Sequence, residues 1–164
     1  MDEQVGVIVV GVDGSPGSEA ALDFALAEGR NRGLAVEVVT AWMLDPAFRP
    51  LGRQTDLESG RAVYQKRQGR LVAQALARLP ERPEVAQLVV HDYAGRVLVA
   101  RAEGGAMLVV GGGTQSAHSR KTLGSVAEYC IRHSSVPVVV VPEPDRVRRR
   151  TLRDLELPVT TRVG

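Results

Sequence analysis

The chain has 164 residues, of which 44% are hydrophobic, so it is long enough to form one domain with a substantial apolar core. Its single cysteine, Cys130, excludes an intramolecular disulfide framework and favours a reducing compartment. The first apolar run is preceded by no basic segment and is far shorter than the roughly 20 residues that span a bilayer. We therefore expect a soluble, cytoplasmic protein.

The charged residues are distributed unevenly along the chain. Residues 145–164 contain six arginines and three acidic residues, a net charge of +3, which leaves −1 for residues 1–144 of a chain whose total is +2. This contrast predicts one domain over residues 1–144 and a basic tail over residues 145–164. Because the domain has no excess of Lys and Arg, nucleic acid is not expected as its partner.

Apolar runs and helical patterns alternate along the chain. The runs predict strands at residues 5–12, 35–42, 85–91, 106–110 and 136–141. Apolar spacing, caps and breakers predict helices at residues 16–32, 57–79, 94–103 and 124–133. The order predicts an α/β fold: a single domain with a mostly parallel five-stranded sheet and helices on both faces, as in Rossmann-like nucleotide-binding folds.

In such folds, ligands bind beyond the carboxyl ends of the strands. Asp13 follows the first strand and Gly111 the fourth, so both are expected at this rim. Asp13 and Ser15 also fit a simple turn that caps the next helix, and for Ser15 the two interpretations are equally good.

The segment between the fourth strand and the fourth helix is typical of a phosphate site. Gly111, Gly112 and Gly113 follow the strand, and Gly124 and Ser125 open the helix. Glycines allow the backbone to approach a ligand closely, while the N–H groups and dipole of a helix start attract anions. A flexible loop and a plain helix entry are the alternative.

These features resemble the universal stress protein family over about residues 5–142. The resemblance rests on Val12 to Ser15, on the closing strand from Val136 to Val141, and on the glycine spacing. ATP-binding members have glycine, two residues, glycine, nine residues, glycine, then Ser or Thr. The matching positions here are Gly111, Thr114, Gly124 and Ser125, so Thr114 replaces the second glycine.

The resemblance implies binding of ATP or a similar adenine nucleotide, with Mg²⁺ held only through the nucleotide. It implies that Asp13 and the backbone of Ala41 meet the adenine side. Ribose and phosphate contacts are implied for Gly111, Gly112, Gly113, Thr114, Gly124, Ser125 and Val126. The Cβ of Thr114 would narrow the phosphate site, whereas its hydroxyl would offer a hydrogen bond. The family also implies a homodimer that pairs through Val136 to Val141.

Two functions stay open at this level. The first is a regulatory module of the stress response, in which bound nucleotide changes a surface that a protein partner recognises. The second is a nucleotide-independent dimeric interaction or scaffold protein of the same fold. The chain contains no P-loop, no nucleophile–base pair and no metal-ligand spacing, so we assign no catalytic residue or metal ligand and expect at most slow ATP hydrolysis.

Overall fold

The computed structural model describes residues 6–43, 57–113 and 123–144. Strands and helices alternate through these segments, as predicted. The elements are β1 (Val7–Gly11), α1 (Pro16–Arg32), β2 (Ala35–Trp42), α2 (Leu57–Leu76), β3 (Val85–His91), α3 (Ala94–Ala102), β4 (Met107–Gly111), α4 (Ser125–His133) and β5 (Val138–Val141). Thr114 and the tail predicted over residues 145–164 lie outside the described residues.

The five strands form one sheet in the order β3-β2-β1-β4-β5. Every pairing between them is parallel, which confirms the predicted sheet. The chain runs from β1 to β2 and β3 on one side of β1, and then returns to place β4 and β5 on the other side. The carboxyl ends of β1 and β4 therefore flank the switch point, where open parallel sheets bind ligands.

Helices cover both faces of the sheet because successive strand residues point to opposite sides. Ile8 and Val10 join a core beneath α1 and α2, which supply Leu22 and Val72 among others. The intervening Val9 joins a second core beneath α3 and α4.

Cys130 is fully buried in the second core. Burial raises the pKa of its thiol to about 11, so the thiol stays protonated at neutral pH.

Local chemistry explains where the helices begin and end. Ser15 caps α1 by accepting a hydrogen bond from the Ser18 N–H, and Gly33 ends the helix at a φ of 66°. Helix α2 ends at Leu76, three residues earlier than predicted, because its last turn tightens: the Leu79 N–H donates to the Leu76 carbonyl at 3.2 Å. Among the described residues, no helix is both long and apolar enough to cross a membrane.

Candidate functional site

A cavity of about 440 Å³ opens at the carboxyl ends of β1, β2 and β4. The first turns of α1, α3 and α4 complete its walls. The cavity therefore occupies the switch point of the sheet, and its volume falls in the range of small-molecule sites, roughly 300–1,000 Å³. We call it the rim cavity.

The rim cavity brings together most of the residues that the sequence singles out. Seven of the nine predicted positions line it: Asp13, Ala41, Gly111, Gly113, Gly124, Ser125 and Val126. Gly112 is not among the lining residues. Its N–H donates to the Val141 carbonyl at 2.8 Å and its carbonyl accepts from the Gly124 N–H at 3.2 Å, so it joins β5 to the start of α4. Thr114 lies beyond the described segments.

The turn between β1 and α1 is held by its own side chains. The Asp13 carboxylate accepts from the Ser15 N–H at 2.8 Å, and the Ser18 hydroxyl accepts from the Gly14 N–H at 3.1 Å. The same hydroxyl donates to the Ser15 carbonyl at 3.0 Å. Ser15 is thus a helix cap, one of the two roles that its sequence allows, and it also lines the rim cavity.

Asp13 places a negative charge at the mouth of the rim cavity. Desolvation alone would raise the pKa of this carboxyl, but hydrogen bonds, those from Ser15 foremost, outweigh it and hold the pKa below the ordinary value of 3.8. The group is therefore ionised at neutral pH. A carboxylate accepts hydrogen bonds from amino and hydroxyl groups and repels phosphate.

One side of the rim cavity, at the start of α4, is built from backbone. Gly124 caps α4 without a side-chain hydrogen bond, and the first N–H groups of a helix have no partner within it. Ser125, Val126 and Ala127 form this first turn and all three line the cavity. Gly113, with a φ of 92°, adopts a conformation that favours glycine. This side presents N–H donors and the positive end of a helix dipole to an anion.

The cavity also has an apolar wall that sequence reasoning missed. Val12, Val39, Leu98 and Val110 line it beside the predicted residues. Val12 directly precedes Asp13 and Val110 directly precedes Gly111, whereas Val39 lies within β2 and Leu98 within α3, so only the first two adjoin a residue that the sequence singles out. An apolar wall in a cavity that also holds a carboxylate and N–H donors suits a planar, weakly polar ring.

A buried polar network lies behind the rim. The Thr40 hydroxyl donates to the Val12 carbonyl at 2.8 Å and accepts from the Gln68 amide at 3.0 Å. The Gln68 amide nitrogen also lies 3.0 Å from the carbonyl oxygens of Val38 and Leu88. The network ties α2 to β2 and β3 and fixes the carbonyl that precedes Asp13.

Within residues 6–43, 57–113 and 123–144, no group of three or more His, Cys, Asp and Glu side chains is placed to hold a metal ion.

Comparison with known proteins places the chain in a family. The sequence pattern of the universal stress protein family matches residues 5–142. This chain belongs to the universal stress protein family. A curated relative, the universal stress protein Rv2005c of Mycobacterium tuberculosis, is 33% identical over 143 residues, covering 85% of this chain and 46% of the relative. The chain thus spans about half the length of the curated relatives that it matches.

Solved universal stress proteins share the fold. One from Lactobacillus plantarum superposes with a TM-score of 0.67 at 21% identity, over 84% of this chain and 97% of the other. A protein from Archaeoglobus fulgidus, solved in complex with dAMP, gives 0.56 at 23% identity over 83% and 97%. A further universal stress protein, solved in complex with cAMP, gives 0.58 at 22% identity over 83% and 95%.

Proposed function

We propose that this domain is a regulatory module that binds ATP or a similar adenine nucleotide in the rim cavity. The observation that carries the proposal is the convergence of seven motif residues, drawn from four separate parts of the chain, on one cavity at the switch point. The adenine nucleotides dAMP and cAMP in two structures of the same fold support the same ligand class.

The charges of the rim cavity orient the nucleotide. Phosphates repel the Asp13 carboxylate and are attracted to the N–H groups at the start of α4, so they lie beside Gly111, Gly113 and Ser125. Adenine then lies between the apolar wall and the backbone of Ala41, and Asp13 accepts a hydrogen bond from an amino or hydroxyl group. Mg²⁺ enters only with the phosphates.

Regulation follows from where the phosphates lie. Gly113 directly precedes the segment over residues 114–122 and Leu123 directly follows it, and both line the rim cavity, so a bound nucleotide contacts the chain at both ends of this segment. We propose that the occupied site changes the surface that a protein partner recognises during a stress response.

The single cysteine of this chain, Cys130, is buried and suits a reducing compartment, and we propose that the protein lies in the cytoplasm.

We also propose that two copies of the chain pair through Val136 to Val141. Strand β5 stands at an edge of the sheet, and its four valines are only partly buried. An apolar edge strand is a surface that proteins cover. A nucleotide-independent scaffold would use this same pairing, so dimerisation does not discriminate between the two functions, whereas nucleotide binding does.

The test begins with the nucleotide itself. Denaturing the purified chain and identifying released compounds by chromatography is expected to yield an adenine nucleotide, and calorimetry is expected to show binding of ATP with Mg²⁺. Gly124→Asp is expected to abolish this binding, because it introduces a negative charge where the phosphates lie. A wild-type chain that binds no ATP at millimolar concentration would refute the assignment and favour the scaffold.

Gly124→Ala is the matched control. The backbone at Gly124 has φ −66° and ψ 150°, which any residue adopts. A Cβ at this position would stand 3.1 Å from the Gly113 Cα, in both variants alike. The alanine variant therefore reports the steric effect alone and is expected to weaken ATP binding by only a few fold. Equal losses in both variants would show that crowding, rather than charge, is responsible.

A further inference from the structure

A second cavity, of about 330 Å³, lies on the surface between the first turns of α3 and α4. We call it the α3–α4 groove. Ala94, Ser125 and Val126 line both the groove and the rim cavity. The groove therefore begins at the end of the rim cavity where the phosphates are proposed to lie, and a ligand longer than a mononucleotide would extend into it.

Two tyrosines line the groove. Tyr93 is 65% exposed and Tyr129 is 38% exposed. Two contacts hold Tyr129 in place. Its ring stacks on His133 with 4.1 Å between centroids, and it packs so closely on Gly95 that a Cβ there would stand only 2.6 Å from the Tyr129 Cδ1 atom. Tyr93, more exposed, presents its ring to the groove. Exposed aromatic rings along a nucleotide-binding surface are platforms on which bases stack.

The charge of the groove favours a neutral group over a further phosphate. Arg96 also lines the groove, but its guanidinium donates to the Asp92 carboxylate at 2.5 Å, and this ion pair compensates its charge. The other lining side chains are small, apolar or aromatic, apart from the hydroxyl of Ser125. A planar ring fits this lining better than an anion.

We propose that the α3–α4 groove binds the second planar ring of a ligand built on an adenine nucleotide, the chemical class of the dinucleoside polyphosphates. The first base occupies the rim cavity, so this inference rests on the proposed function. The phosphate chain passes Ser125 and Val126, and the second base stacks on Tyr93 with Tyr129 as the opposite wall.

Calorimetry with ATP and with diadenosine tetraphosphate tests the proposal on the full chain. The wild type is expected to bind the dinucleotide about tenfold more tightly than ATP, since stacking of the second base adds to the affinity. Tyr93→Ala is expected to weaken dinucleotide binding about fivefold or more and to change ATP binding less than about twofold. Ile131→Ala is the control: Ile131 is 51% exposed on α4 but does not line the groove, and both affinities should stay unchanged.

The outcomes separate this inference from the proposed function. If ATP binds but the dinucleotide binds no more tightly, or if Tyr93→Ala leaves its extra affinity intact, the groove assignment is overturned and the nucleotide site stands. If neither compound binds the wild type, both fail. Coenzyme A carries a flexible pantetheine arm, which has no ring, on its pyrophosphate in place of a second base, so tighter binding of coenzyme A than of the dinucleotide would also overturn the second ring.

Discussion

Gly111 is the rim residue at which the backbone leaves least space. A Cβ at this position would stand 2.7 Å from the carbonyl carbon of Gly17 and 2.8 Å from the Ser18 nitrogen. Both are backbone atoms of the first turn of α1, so neither can yield without moving the helix. Gly111→Ala is expected to lower the free energy of unfolding by about 1–3 kcal/mol and to weaken ATP binding. Urea unfolding followed by circular dichroism measures the first effect and calorimetry the second.

Gly69→Ala provides the matched control for this substitution. Gly69 lies within α2, and a Cβ there would meet only the Gln87 Oε1 atom, at the ordinary contact distance of 3.9 Å. The alanine should stabilise the helix by up to about 1 kcal/mol. Opposite signs for the two variants would show that crowding at Gly111 decides the result. A Gly111→Ala chain as stable as the wild type would contradict the close approach of β4 and α1.

The glycines and the polar residues of the site could be predicted from the sequence, but its apolar wall could not. Asp13, Gly111 and Ser125 stand out because a carboxylate, a glycine and a hydroxyl at strand and helix ends match the chemistry of a nucleotide site. Val12 and Leu98 do not, since an apolar residue that lines a cavity looks the same in a sequence as one that fills the core. The groove between α3 and α4 could not be predicted from the sequence, because its two tyrosines lie far apart in the chain and come together only through the packing of two helices.

The attachment of α2 to the sheet depends on a polar residue within an apolar contact. Gln68 is only 3% exposed, and its amide nitrogen lies 3.0 Å from Thr40 Oγ1 and from the carbonyl oxygens of Val38 and Leu88. Gln68→Leu keeps much of the volume but removes the donor. It is expected to lower the free energy of unfolding by about 1–3 kcal/mol, because buried acceptors lose a partner.

Gln87→Leu makes the same chemical change at an exposed position of β3 and should shift the free energy of unfolding by no more than about 0.5 kcal/mol. Denaturant titration of both variants checks the difference. If Gln68→Leu is as well tolerated as Gln87→Leu, the network does not hold α2 on the sheet. Helix α2 could be predicted from its apolar spacing. The burial of Gln68 could not, because a pattern that separates polar from apolar positions assigns a glutamine to the solvent-exposed face.

At the scale of the whole molecule, the pattern of elements predicted a parallel sheet without giving its strand order. Val10 pairs with Val38 on one side and with Val109 on the other, so one neighbour lies almost a hundred residues away in the chain. Strands covered on both faces are apolar throughout and carry no alternation that would select a neighbour. The order β3-β2-β1-β4-β5 comes from the structure.

That order leaves β5 at an edge, next to β4 alone. Val138–Val141 is short and apolar, and its partly exposed valines would be covered if two copies paired there. A twofold pairing repeats every substitution on both sides of the interface. Val140→Lys therefore brings two positive charges into it and is expected to convert a dimer into monomers. Light scattering at micromolar concentration measures the mass of each form.

Val63→Lys is the control for this experiment. Val63 is 66% exposed on α2, and this helix packs against β2 and β3, towards the edge of the sheet that is opposite β5. It introduces the same charge in place of the same side chain and should leave the mass unchanged. Circular dichroism of both variants verifies that the fold is retained. A wild-type chain that is monomeric under these conditions, or a Val140→Lys chain that stays dimeric, would show that β5 is not the pairing edge.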